Sequence, residues 1–222
     1  MSRLVKIRSE KGFTVTELMI ATAVFGVLLL VIATAILQLT RVYYKGVTEA
    51  KLQSTARSLV DGIAQSIQFS GQDVTSTAVS PTPGTNYAFC VGNSLYSYTT
   101  GYSVSQTAGA NEAFHGIVVS DEPGCESTTA PQDVKGTPSL NGRELLEPNM
   151  RVARLDITSV GGDYYRISVR LIYGDDEVVF NPASPGDATG FRSPNAACRS
   201  IRVGAQFCAV ADITANVTKR VK

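Results

Sequence analysis

Residues 18–40 read LMIATAVFGVLLLVIATAILQLT, 23 positions without a single charge. As an α-helix rising 1.5 Å per residue, this run reaches roughly 34 Å, enough to cross the hydrocarbon core of a bilayer. Basic residues flank it on both sides: Arg3, Lys6, Arg8 and Lys11 before, Arg41, Lys45 and Lys51 after. Loop charge therefore places the N-terminus inside only weakly. The four cysteines, all at Cys90 or later, argue in the same direction, because disulfides persist outside the cytosol and the part that carries them should be exported.

Beyond the charge-free run the pattern changes without breaking. Leu52, Ala56, Leu59, Val60, Ile63 and Ile67 recur at helical spacing, while Lys51, Gln53, Arg57, Asp61 and Gln65 fall on the other side. A helix running from Thr14 to Phe69 would be roughly 80 Å long, apolar all round in its first half and amphipathic in its second. No proline interrupts it, and Ser70-Gly71 supplies a stop. Two helices broken near Gly46 are the alternative, although an isolated glycine costs a helix only ~1 kcal/mol.

The rest of the chain has another composition. All nine prolines fall at Pro81 or later, and 15 of the 19 glycines at Gly71 or later. Strands are expected at 87–91 and 94–99, flanking a Gly92-Asn93 hairpin turn, and at 114–120. The clearest strand is 164–173, where Tyr165, Ile167, Val169, Leu171 and Tyr173 alternate with Arg166, Ser168 and Arg170. Runs at 151–160 and 178–181 lie across short turns on either side and predict a three-strand antiparallel meander. The helical stripe and the one-faced sheet can cover each other, which gives an α+β fold: a long N-terminal helix, membrane-spanning in its first half, packed by its C-terminal half against an antiparallel β-sheet head. Two stretches without periodicity, 121–149 and 182–197, read as loops that are either stapled or serve as a recognition surface.

The junction before the apolar run reads Lys11-Gly12-Phe13-Thr14-Val15-Thr16-Glu17-Leu18-Met19-Ile20. Here the chain resembles type IV pilins and type II secretion pseudopilins. In that family a basic leader ends in Gly, a prepilin peptidase cuts before a Phe, and a Glu lies four residues past the new N-terminus. Gly12, Phe13 and Glu17 match those positions. The resemblance implies cleavage after Gly12, N-methylation of Phe13, and pairing of the freed amine with Glu17 of a neighbouring subunit. Physics favours a partner for that glutamate independently, since a carboxylate near hydrocarbon costs up to ~3 kcal/mol at mid-membrane and less at the edge. The bland alternative is that Glu17 only marks the cytosolic edge of an ordinary anchor. Small residues at Ala21, Thr22, Ala23 and Gly26 would let helices approach closely in a filament core.

The resemblance divides the chain into a cleaved leader (1–12), a membrane and filament-core half-helix (13–40), an amphipathic half-helix (41–70) and a β-rich head (71–222). The apolar run lacks the helix-kinking proline common in major subunits, and a mature chain of 210 residues is large for one. The stretch from Thr40 through Leu52, Ala56-Arg57, Leu59, Asp61 and Ile67-Gln68 resembles minor pilins of the W and J type. The expected partners are other pilin subunits, the prepilin peptidase/methyltransferase, the pilus assembly platform, and the cytoplasmic membrane before assembly. DNA or a host surface is the less favoured partner. Arg192, Arg199, Arg202, Lys219, Arg220 and Lys222 could form a basic patch, but the mature chain balances 16 basic against 18 acidic residues.

Other readings are weaker. A secretory signal peptide cut after Ala33-Thr34-Ala35 explains neither Glu17 nor the amphipathic helix downstream. No enzyme is expected, because the one histidine, His115, alternates like a strand residue and neither a G-x-S-x-G elbow nor a C-x-x-C pair is present. No cofactor or metal is expected; Asp175-Asp176-Glu177 could ligate calcium but reads as a solvated hairpin tip. The four cysteines allow three pairings. Cys198 and Cys208 would lie roughly 33 Å apart on one straight strand, so they can bond only if the chain folds back, and Gly204 offers the turn. The expected bridges are Cys198–Cys208 and Cys90–Cys125. A continuous strand through Ile201, Val203, Ala205, Phe207 and Ala209 would instead send the late cysteines to the early ones.

Overall fold

Unbroken apolar periodicity with no proline produces one helix, α1 (Val15–Phe69), in the computed structural model, which describes residues 12–71, 73–74, 86–104, 116–121, 142–199 and 204–220. Gly46 does not break it. The chain divides into two compact units, Met1–Tyr43 and Tyr44–Lys222. In the first, the large apolar side chains of α1 are exposed all round, from Leu18 through Leu39. Thr22, Thr34 and Thr40 donate their hydroxyls to the carbonyls of Met19, Val31 and Ile36. These three hydroxyls are thus satisfied within the helix, as immersion in hydrocarbon requires.

In the second unit α1 buries Leu52, Ala56, Leu59, Val60, Ile63 and Ile67, the residues of the sequence stripe. Among the described residues nine strands follow: β1 (Asn86–Val91), β2 (Ser94–Thr99), β3 (Ile117–Asp121), β4 (Arg143–Glu144), β5 (Met150–Gly161), β6 (Tyr164–Tyr173), β7 (Val179–Phe180), β8 (Ala197–Cys198) and β9 (Ala209–Thr218). They form an antiparallel sheet β1-β2-β3-β4, an antiparallel sheet β5-β6-β9, and a small ladder β7-β8. One core joins the α1 stripe to Phe89, Tyr96 and Ile117 of the first sheet and to Val152, Leu155, Ile167, Val169 and Leu171 of the second. The long helix followed by an antiparallel β region is the α+β layout expected.

Three details depart from expectation. Residues 178–181 do not complete a meander; β9 pairs with β6 along its whole length, from Tyr164↔Thr218 to Tyr173↔Ala209. Ten paired residues that bury Ala211 and Val217 outcompete a two-residue β7, which turns away to pair with β8. The departure begins at Gly174 (φ +141°), where a Cβ would come within 3.2 Å of the Cys208 sulfur. Within 121–149, expected to be loop, β4 closes the first sheet. There the Glu144 carboxylate accepts the backbone N–H groups of Gly116, Ile117 and Leu146 at 3.0, 2.8 and 2.9 Å. Within 182–197 a 3-10 turn (Gly190–Arg192) and the start of β8 appear.

A register shift between Val152 and Arg154 bulges β5, so that Met150, Arg151, Val152 and Ala153 are all buried. Ala153 thereby joins a second core with Ile172, Val178, Val179, Ala196 and Cys208. Arg151, 1% exposed, places one guanidinium nitrogen 2.7 Å from the Asp176 carboxylate and donates another to the Gly174 carbonyl at 2.7 Å. Asp176 is therefore the counterion of a buried arginine and not part of a solvated tip.

Candidate processing and assembly site

Gly12, Phe13 and Thr14 precede the helix, and Phe13 is 85% exposed. Thr14 is the N-cap. Its hydroxyl oxygen accepts the Glu17 N–H at 3.3 Å, and its carbonyl accepts the Leu18 N–H at 3.2 Å. Glu17 reaches back, its carboxylate accepting both the Thr14 N–H at 3.0 Å and the Thr14 hydroxyl at 2.9 Å. This is a reciprocal capping box, in which two otherwise orphaned N–H groups of the first turn are satisfied and a negative charge sits at the positive end of the helix dipole. Glu17 thus has a partner within its own chain, which the sequence reading did not supply. The T-x-x-E spacing ahead of an apolar run was the available signal.

The small residues of α1 do not form one surface. Thr22, Ala23 and Gly26 are three or four positions apart or adjacent and share a side, whereas Ala21 lies about 200° around the helix from Ala23. A Cβ built on Gly26 would meet nothing within 4 Å.

In the head, Cys198 and Cys208 are bonded with their Cα atoms 5.7 Å apart. The fold-back that this needs is present: Gly204 is left-handed (φ +94°) and leads into a 3-10 turn, Ala205–Phe207. Cys90 is disulfide-bonded as well, and Cys125, its expected partner, lies outside the described residues, as does His115. Three of the basic residues near the C-terminus are engaged with the head, whereas Arg220 is exposed. Arg192 stacks over Tyr102 at 4.5 Å, Arg199 over Phe180 at 4.9 Å, and Lys219 binds Asp73 at 3.0 Å. Arg202 and Lys222 lie outside the described residues. Lys219 and the Tyr165 hydroxyl both donate to Asp73 and hold its carboxyl below the usual carboxylate range.

An exposed aromatic beside a glycine, a capped carboxylate four residues on, and a helix apolar on every side is an arrangement that comparison with known families can test. Residues 7–33 match the prokaryotic N-terminal methylation motif. The motif takes in Gly12, Phe13, Glu17 and the four small residues, and it leaves the head outside. It supports a place among type IV pilins and pseudopilins, and a structural subunit rather than an enzyme. It also implies processing by a prepilin peptidase and assembly with other pilins. No curated protein and no solved structure matches the chain.

Proposed function

We propose that this chain is a minor pilin or minor pseudopilin of the W/J type, made as a precursor in the cytoplasmic membrane with its N-terminus inside. Cleavage after Gly12 frees Phe13, which is methylated, and the assembly platform then draws the helix into a filament core. The head acts in priming assembly or at the filament tip. The methylation motif carries this reading, because it lies at the start of a helix whose first half exposes apolar side chains all round. The engagement of Arg192, Arg199 and Lys219 inside the head argues against DNA as the partner.

Intact-mass analysis tests the reading. The mature protein is expected to begin at methylated Phe13, and Gly12→Val is expected to keep the 12-residue leader. A mature chain beginning at Ile36, or a Gly12→Val protein of wild-type mass, would overturn it.

A further inference from the structure

Among the described residues of the second unit six large apolar or aromatic side chains are exposed, and two of them touch each other. The Tyr44 and Phe207 rings lie 5.6 Å apart at 55°, with 47% and 44% of each residue exposed. Val47, 48% exposed, lies three positions beyond Tyr44 and therefore on the same side of α1. Phe207 is not free to turn inward. It ends the 3-10 turn that follows left-handed Gly204, and the next residue, Cys208, is 2% exposed and bonded to Cys198. A rigid turn thus holds a half-exposed phenyl ring against the helix.

The position of Tyr44 along the chain says what covers this patch. The charge-free run ends at Thr40, so Tyr44 lies about 6 Å of helical rise beyond it. The headgroup layer on each side of a bilayer is roughly 5–8 Å thick. Arg41, Tyr43, Tyr44 and Lys45 have the composition of an interfacial belt, in which amphipathic rings lie at headgroup depth and cations reach the phosphates. We infer that the 3-10 turn Ala205–Phe207 rests on the outer surface of the membrane that anchors the chain, with Phe207 and Tyr44 lying together among the lipid headgroups. The inference depends on the membrane-anchored precursor proposed above. It adds a second membrane contact, made by the head, that would be given up when the subunit leaves for a filament.

The chain has no tryptophan, so Phe207→Trp creates a single fluorescent reporter with an aromatic in place of an aromatic. Full-length protein would be reconstituted into phosphatidylethanolamine/phosphatidylglycerol vesicles, with or without brominated lipids, the bromines near the top of the acyl chains for the interfacial reporters and near their ends for the mid-membrane control. Leu29→Trp in the apolar run serves as the buried control. Phe69→Trp, 25 residues beyond Tyr44 on α1, serves as the solvent control. Phe207→Trp is expected to shift to the blue and to lose about half its emission to bromolipid, as an interfacial indole should. Tyr44→Trp should behave alike, and it replaces the first reporter if that variant fails to fold. Quenching of Leu29→Trp without quenching of either interfacial reporter would overturn the inference while leaving the anchor intact. Failure to quench Leu29→Trp would overturn both. A blue shift that depends on protein concentration and is indifferent to bromolipid would assign the patch to a second copy of the chain and also overturn the inference.

Discussion

Asp176→Ala removes the counterion of a guanidinium that has almost no access to water. Arg151 is 1% exposed, and its remaining partners are two carbonyls, Gly174 at 2.7 Å and Gly101 at 3.4 Å, and the Phe191 ring, 5.5 Å from the guanidinium carbon. Breaking a buried ion pair from one side costs about 3–5 kcal/mol, because the surviving charge is left uncompensated. The Asp176 side chain is 33% exposed, so water can reach the vacated position, and the carbonyls retain part of the cation's stabilisation. Both effects place the expected loss at the low end, about 3 kcal/mol. For a unit of this size that is a drop in Tm of roughly 6–12 °C. Differential scanning fluorimetry of the full chain in detergent would measure it. Arg151→Met is the informative companion, since it removes the buried charge and leaves Asp176 where water can solvate it. A Tm for Asp176→Ala within a degree or two of wild type would show that the pair is not what holds the β5 bulge to the Gly174 turn.

Glu17→Gln keeps a side-chain acceptor for the Thr14 N–H and should be processed and inserted normally, yet enter filaments poorly; immunoblots of sheared filament fractions would show this, and normal incorporation would remove the proposed inter-subunit pairing. Replacing Cys198 and Cys208 together by Ser should lower stability by about 2–3 kcal/mol, given the short loop they close, as read by urea unfolding. A disulfide-linked peptide joining either of these cysteines to Cys90 or Cys125 would contradict the Cys198–Cys208 bond. Asp73 makes a pH prediction. Its folded pKa is depressed by the Lys219 and Tyr165 hydrogen bonds, so its contribution is present above its ordinary value of 3.8 and is lost as pH falls through the lower folded value. The stability difference between wild type and Asp73→Asn should therefore shrink on acidification below about pH 4, and a pH-independent difference would refute the linkage.

Much of this was legible because helical and strand periodicities bury different sets of residues. The α1 stripe and β6 each bury one face, and their alternation names the buried residues without reference to the rest of the chain. β9 was not legible. It is built from Ala209, Ala211, Ile213, Ala215 and Val217, and three alanines give too little contrast to stand out from a loop until β6 supplies a partner. Arg151 was hidden for the opposite reason. A charged residue at the start of a strand reads as solvent-facing, whereas Arg151 lies opposite Ile172 of the second core, with Asp176 as its counterion. At the site, the junction motif singles out Gly12, Phe13 and Glu17, and the T-x-x-E spacing from Thr14 to Glu17 carries the capping box of the first turn. For the cysteines, spacing left two readings open, and the left-handed turn at Gly204 is what brings Cys198 to Cys208.

The Thr14–Glu17 box also sets a boundary in the precursor. A peptide bond inside a helix has its carbonyl and N–H engaged by neighbouring turns and is a poor substrate until the helix unwinds. The cap starts the helix at Val15 and leaves Gly12, Phe13 and Thr14 non-helical, so the bond proposed for cleavage stays in open backbone two residues from an otherwise continuous rod. The side chain proposed to receive a partner's amine after cleavage is thus also the one that keeps the bond proposed for cleavage outside the helix.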